Sequence, residues 1–148
     1  MLAKEIMTKE VITVGPDTPV PEIARILAAN NISGVPVVDG NGKVIGIVSE
    51  ADLLIKHEKT KVPYRLALFG LWVVPDEAIA EAYKSARGDT TAEDVMTRNV
   101  ITFNEEDEVE KIAEVMVRKK INRVPILSDG KLVGIVSRGD ILRAIAGV

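Results

Sequence analysis

Cysteine is absent from the 148 residues, and His57 is the sole histidine. Without thiols there is no disulfide framework, no thiolate zinc site and no cysteine nucleophile. A histidine metal site or a His-dependent triad has a single residue to draw on, and it sits in the polar run Lys56-His57-Glu58-Lys59, which reads as solvated. Also missing is any apolar run near the roughly 18 residues a membrane span requires. The longest candidate is residues 66–74, and Met1-Leu2-Ala3-Lys4-Glu5 has no secretory core, so the chain is expected in the cytoplasm. A net charge of −3 argues against a general nucleic-acid binder. The one basic cluster, Arg118-Lys119-Lys120 with Arg123, reads as cations complementing a helix C-terminus.

What is present begins as ordinary globular composition, 47% apolar and 28% charged. No catalytic constellation stands out. Asp39-Gly40-Asn41-Gly42-Lys43 imitates a calcium loop, but Val44 stands where that loop needs glycine, and the spacing of a phosphate-binding P-loop is absent. The carboxylates Glu105-Glu106-Asp107-Glu108 fall at a predicted helix start, where negative charge is favoured for structural reasons.

The informative feature is an internal repeat. Residues 3–39 align without gaps on 92–128, and residues 42–54 on 130–142, the intervening turn being one residue shorter in the second copy. Each copy reads as a short lead-in helix ending in Met-Thr (Met7-Thr8, Met96-Thr97), then a strand over 11–14 or 100–103. Thr91 and Asp94 form a capping-box pattern before the second lead-in helix. An amphipathic helix follows, with Val20, Ile23, Ala24 and Leu27, or Val109, Ile112, Ala113 and Met116, at i, i+3, i+4, i+7. Thr18-Pro19 and Asp107-Glu108 are its predicted starts. Strands entered through Val35-Pro36 and Val124-Pro125 then turn at 39–42 and 128–130 into strands over 44–49 and 132–137.

The expected fold is α+β, a tandem pair of βαββα units over residues 1–54 and 92–148 with a helical insert at 55–91. In each unit the first two strands should be parallel and the third antiparallel to the second. Fifty residues hold a marginal core, so the units are expected to pack about a pseudo-twofold axis, leaving clefts. Within the insert a helix is expected over 75–83, stopped by Gly88. The apolar run 66–74 reads either as local core or self-association surface, or as a docking patch for a target protein.

Both copies end in Gly-Ile-Val-Ser-x-x-Asp: Gly46 to Asp52 and Gly134 to Asp140. A buried strand here feeds directly into a helix. Ser-x-x-Asp before an apolar run is a capping box, with the serine at N-cap and the carboxylate at N3. The same geometry serves a nucleotide, since a helix N-terminus attracts phosphate and a nearby carboxylate accepts from a ribose diol. The second copy has Arg138 where the first has Glu50. An arginine at such a joint favours phosphate.

These motifs, twice and in order, resemble a tandem pair of CBS domains (a Bateman module). The resemblance rests on Met7-Thr8 and Met96-Thr97, on residues 32–39 and 121–127, and on both Gly-hydrophobic-x-Ser-x-x-Asp joints. It implies a non-catalytic regulatory module without a metal or resident cofactor, binding AMP, ADP, ATP or S-adenosylmethionine, commonly as a homodimer. Carried over by position, Asp52 and Asp140 would hold ribose and Ser49 and Ser137 would approach phosphate. Thr13, Val14, Val35 and Pro36, or Thr102, Phe103, Val124 and Pro125, would line adenine. Arg123 and Arg138 would mark the phosphate end of the better site. The competing expectation is a ligand-free structural module whose capping boxes are only caps, assembling with itself or a partner.

Overall fold

Residues 1–55 and 90–148 are described by a computed structural model of the chain; the apolar run 66–74, the helix expected over 75–83 and His57 lie outside them. In chain order they form α1 (Ala3–Ile6), α2 (Val20–Asn30), β1 (Gly34–Val38), β2 (Val44–Ser49), α3 (Glu50–Ile55), α4 (Ala92–Val95), β3 (Phe103–Asn104), α5 (Val109–Lys119), β4 (Arg123–Ser128), β5 (Lys131–Ser137) and α6 (Arg138–Ala146). The element types follow the α+β pattern read from the repeat.

The amphipathic spacing is realised as predicted. α2 buries Val20, Ile23 and Leu27, and α5 buries Val109, Ile112 and Met116. Neither helix has a side-chain cap. Instead, the first N–H of α5 donates to the Met1 carbonyl at 2.9 Å, and that of α2 to the Thr90 carbonyl at 3.0 Å. Each helix thus begins against the segment that leads into the other repeat. α2 and α5 end at Asn31 and Lys120, both left-handed at φ 56°, which turns the chain toward the next strand.

That exchange of lead-in segments runs through the whole fold. The chain divides into two compact units: one comprises Met1–Ile12, Gly40–Val44 and Asn99–Val148, the other Thr13–Asp39 and Ile45–Arg98. In the first, Ala3, Phe103, Val109, Ile112, Met116, Val124, Ile126, Val136 and Ile141 form the core. In the second, Val14, Val20, Ile23, Leu27, Val35, Val37, Val48 and Leu53 do so together with Ala92, Val95 and Met96. Glu106, hydrogen-bonded to Lys4 at 2.7 Å across the join between α1 and the α5 approach, holds the lysine above its ordinary protonation range.

The first strand of each repeat is shorter than expected. Residues 11–14 form only a single parallel bridge, Val14 to Val37, whereas β3 lies parallel to β4 with Phe103 opposite Ile126 and Asn104 opposite Leu127. The reason lies one step further on. Glu105 donates its N–H to the Leu127 carbonyl at 3.0 Å, while Pro16, its counterpart, has no N–H to give. β4 then pairs antiparallel with β5 across a turn whose Asp129 and Gly130 both have positive φ, as two-residue hairpins require. The register slips once, between Ile126 and Leu127.

Candidate functional site

Each strand-to-helix joint is built by the same hydrogen bonds. At the end of β5, Ser137 donates its N–H to Asp140 Oδ2 at 2.9 Å and its hydroxyl to the same oxygen at 3.0 Å; Asp140 N–H returns a bond to Ser137 Oγ at 3.2 Å. In the first repeat, Ser49 and Asp52 make the equivalent three bonds at 2.9, 3.1 and 3.4 Å. The capping boxes expected from the spacing are therefore closed. They leave the second carboxylate oxygen, Oδ1, pointing to other partners.

Those partners come from the exchanged lead-in segment. Thr8 Oγ1 donates to Asp140 Oδ1 at 3.4 Å, and Thr97 Oγ1 to Asp52 Oδ1 at 3.2 Å. The same segments pair with the strand before the joint, Thr8 with Ile135 and Thr97 with Ile47. Between them, Met7 lies over Gly134 and Met96 over Gly46, so closely that a Cβ on either glycine would collide with the methionine sulfur. The Met-Thr motif is thus the piece that fits the joint of the other repeat. Spacing within one repeat carries no trace of this; the paired recurrence of Met-Thr and Gly-x-x-Ser is the only sign of it.

Charge separates the two joints. Arg123 stands directly opposite Ser137 in the β4–β5 ladder, which places both side chains on one face. Arg138, the first residue of α6, donates its N–H to the Asn122 carbonyl at 3.0 Å and its guanidinium to Asn122 Oδ1 at 3.2 Å. The two arginines expected at the phosphate end are therefore neighbours of the same serine. Asp140 is buried, 6% exposed, with Arg143 Nη2 only 2.5 Å from Oδ1. Neither Asn122 nor Arg143 was prominent in the sequence; the i, i+3 spacing of Asp140 and Arg143 was the available signal. At the first joint, Glu50 N–H donates to the Ser33 carbonyl at 2.9 Å, with Glu50 in place of Arg138.

Of the residues expected to line adenine, Thr13 and Thr102 are half-buried, while Val14 and Phe103 are buried. Val35, Pro36, Val124 and Pro125 are wholly buried in the two cores. Their side chains pack the sheets, and the residues as a whole, main chain included, have almost no exposed surface. Thr102, Phe103, Arg123, Val124, Pro125, Ser137, Arg138 and Asp140 fall in one unit, and Thr13, Val14, Val35, Pro36, Ser49 and Asp52 in the other.

A doubled joint held by a borrowed Met-Thr segment is a specific arrangement, and the family model of the CBS domain matches it twice, over residues 3–58 and 92–147. The chain belongs to the CBS-domain family. An uncharacterised protein of Methanocaldococcus jannaschii is 36% identical over 98% of this chain and 91% of its own length. Inosine-5'-monophosphate dehydrogenase of the same organism is 32% identical over 95% of this chain, which spans only 23% of that enzyme. Among solved structures, the CBS domain pair of protein MJ0100, in complex with 5'-methylthioadenosine and S-adenosyl-L-methionine, matches with a TM-score of 0.71 and 33% identity, covering 99% of this chain and 97% of that one. Among the described residues no helix is long and apolar enough to cross a membrane.

Proposed function

We propose that this CBS pair is a non-catalytic regulatory module that binds adenosine compounds at its two joints, with Asp52 and Asp140 receiving ribose hydroxyls. The observation carrying this reading is the shared construction of the joints, in which one carboxylate oxygen is fixed by the serine and the other accepts a hydrogen bond from a threonine hydroxyl, Thr8 or Thr97. A threonine hydroxyl and a ribose hydroxyl are chemically equivalent donors to that oxygen. The similarity to a CBS pair bound to two adenosyl compounds supports the ligand class. Arg123, Ser137 and Arg138 mark the phosphate end of the second site, so AMP, ADP or ATP suit it better than the first. In the first site Ser49 and Glu50 take the matching positions.

We further propose that the protein is a cytoplasmic homodimer acting on a separate target protein. Leu142 and Ile145 on α6 and Val148 just beyond it, 64%, 79% and 87% exposed, supply apolar surface for self-association. A thermal-shift screen with AMP, ATP and S-adenosylmethionine tests the ligand reading: at about a hundred times the dissociation constant, a ligand stabilises by about 2.7 kcal/mol. No shift with any of them refutes it. The closed caps then favour the second reading, a ligand-free structural module in which Ser-x-x-Asp serves only the helix.

A further inference from the structure

The second joint carries a guanidinium with no counterpart in the first. Arg143 reaches back along α6 to Asp140, its own side chain 59% exposed and that of Asp140 5% exposed. A Cβ built on Gly139 would lie 3.3 Å from Arg143 Nη1, 3.8 Å from Nη2 and 3.6 Å from Ser137 Oγ. The guanidinium therefore lies close over residue 139, in tight contact with where a side chain there would begin. In the first repeat the aligned residues are Ala51 and Ile55. Glycine and arginine occur together in one joint and are replaced together in the other.

We propose that Arg143 decides which adenosine compound the second joint accepts, selecting nucleoside phosphates over uncharged or cationic adenosyl compounds. The proposal rests on the ligand reading above and adds a determinant to it. Without ligand, Arg143 holds the Asp140 oxygen that a ribose diol needs. When ribose hydroxyls donate to that oxygen, the guanidinium is released above Gly139, between Ser137 and Arg138, and meets the phosphates there. A phosphorylated ligand offsets the lost ion pair with new charge-assisted bonds. Adenosine and methylthioadenosine cannot, and the sulfonium of S-adenosylmethionine meets like charge.

Calorimetric titration of the full chain with ATP and with adenosine tests this, using Asp52→Ala to silence the first joint. Arg143→Gln is expected to lower the ATP-to-adenosine affinity ratio about tenfold or more, and Arg143→Lys to recover part of it. Gly139→Ala removes no charge yet is expected to shift the ratio by a smaller amount in the same direction, because its Cβ pushes the guanidinium aside by a few tenths of an ångström. If Asp52→Ala does not fold, the two-site isotherm of the otherwise intact chain yields the same ratio. An unchanged ratio in Arg143→Gln, with both ligands still bound, overturns the role of Arg143 and leaves the ligand reading standing. Failure of the unaltered chain to bind either compound overturns both.

Discussion

The two joints share a skeleton and differ in charge. Ser49 with Asp52 and Ser137 with Asp140 make the same three bonds within a few tenths of an ångström, and each receives a threonine from the other repeat. Around that common frame, Gly34, Glu50, Ala51 and Ile55 are set against Arg123, Arg138, Gly139 and Arg143. Duplication kept what the backbone needs, a cap and a docking glycine, and left free what a ligand reads. Under the proposed ligand reading, two sites of one shape report on two different molecules.

The sharpest way to test the shared skeleton is to fill its glycines. Gly134→Val and Gly46→Val each force a side chain into methionine, and each is expected to destabilise by about 1–3 kcal/mol in chemical denaturation. Met7→Ala should rescue the first variant and Met96→Ala the second, but not the reverse. Moving charge between joints comes next: Ala51→Gly with Ile55→Arg is expected to raise the ATP-to-adenosine ratio of the first joint by up to about tenfold, or about 1.4 kcal/mol, read by the same titration.

Smaller still is the difference between the first strands. Glu105→Pro removes the bond to the Leu127 carbonyl and is expected to cost about 1 kcal/mol, reducing β3 toward the lone bridge seen at Val14. The smallest effect concerns Lys4. Its raised protonation range means that the contact with Glu106 contributes below the ordinary lysine value of 10.5 and is lost as pH climbs through the higher folded value. Glu106→Gln should therefore flatten the stability profile above pH 10.5.

Much of the fold was legible because the chain states it twice. The apolar faces of α2 and α5, the hairpin turns and both capping boxes follow from periods and side-chain chemistry that act within a few residues. The trimming of the first strand was legible in principle, since it turns on whether residue 16 or 105 has an N–H. The exchange of lead-in segments was not, because Met-Thr fits the strand glycine of either repeat equally well on paper. Arg143 escaped for a related reason: an i, i+3 pair on a helix is usually a solvated contact, and only the burial of Asp140 and the bare surface of Gly139 distinguish this one.

The crossing of residues 1–12 into the sheet of β3, β4 and β5 has a consequence for biosynthesis. A ribosome releases this segment well before the strand it must lie against, β5. The body built on β5 therefore cannot be completed until β5 has emerged, whereas the body of Thr13–Asp39 and Ile45–Arg98 can close once Arg98 is out. Severing the polypeptide between the repeats would leave two halves that each hold the other's missing piece, so the fragments should be inert apart and regain structure when mixed.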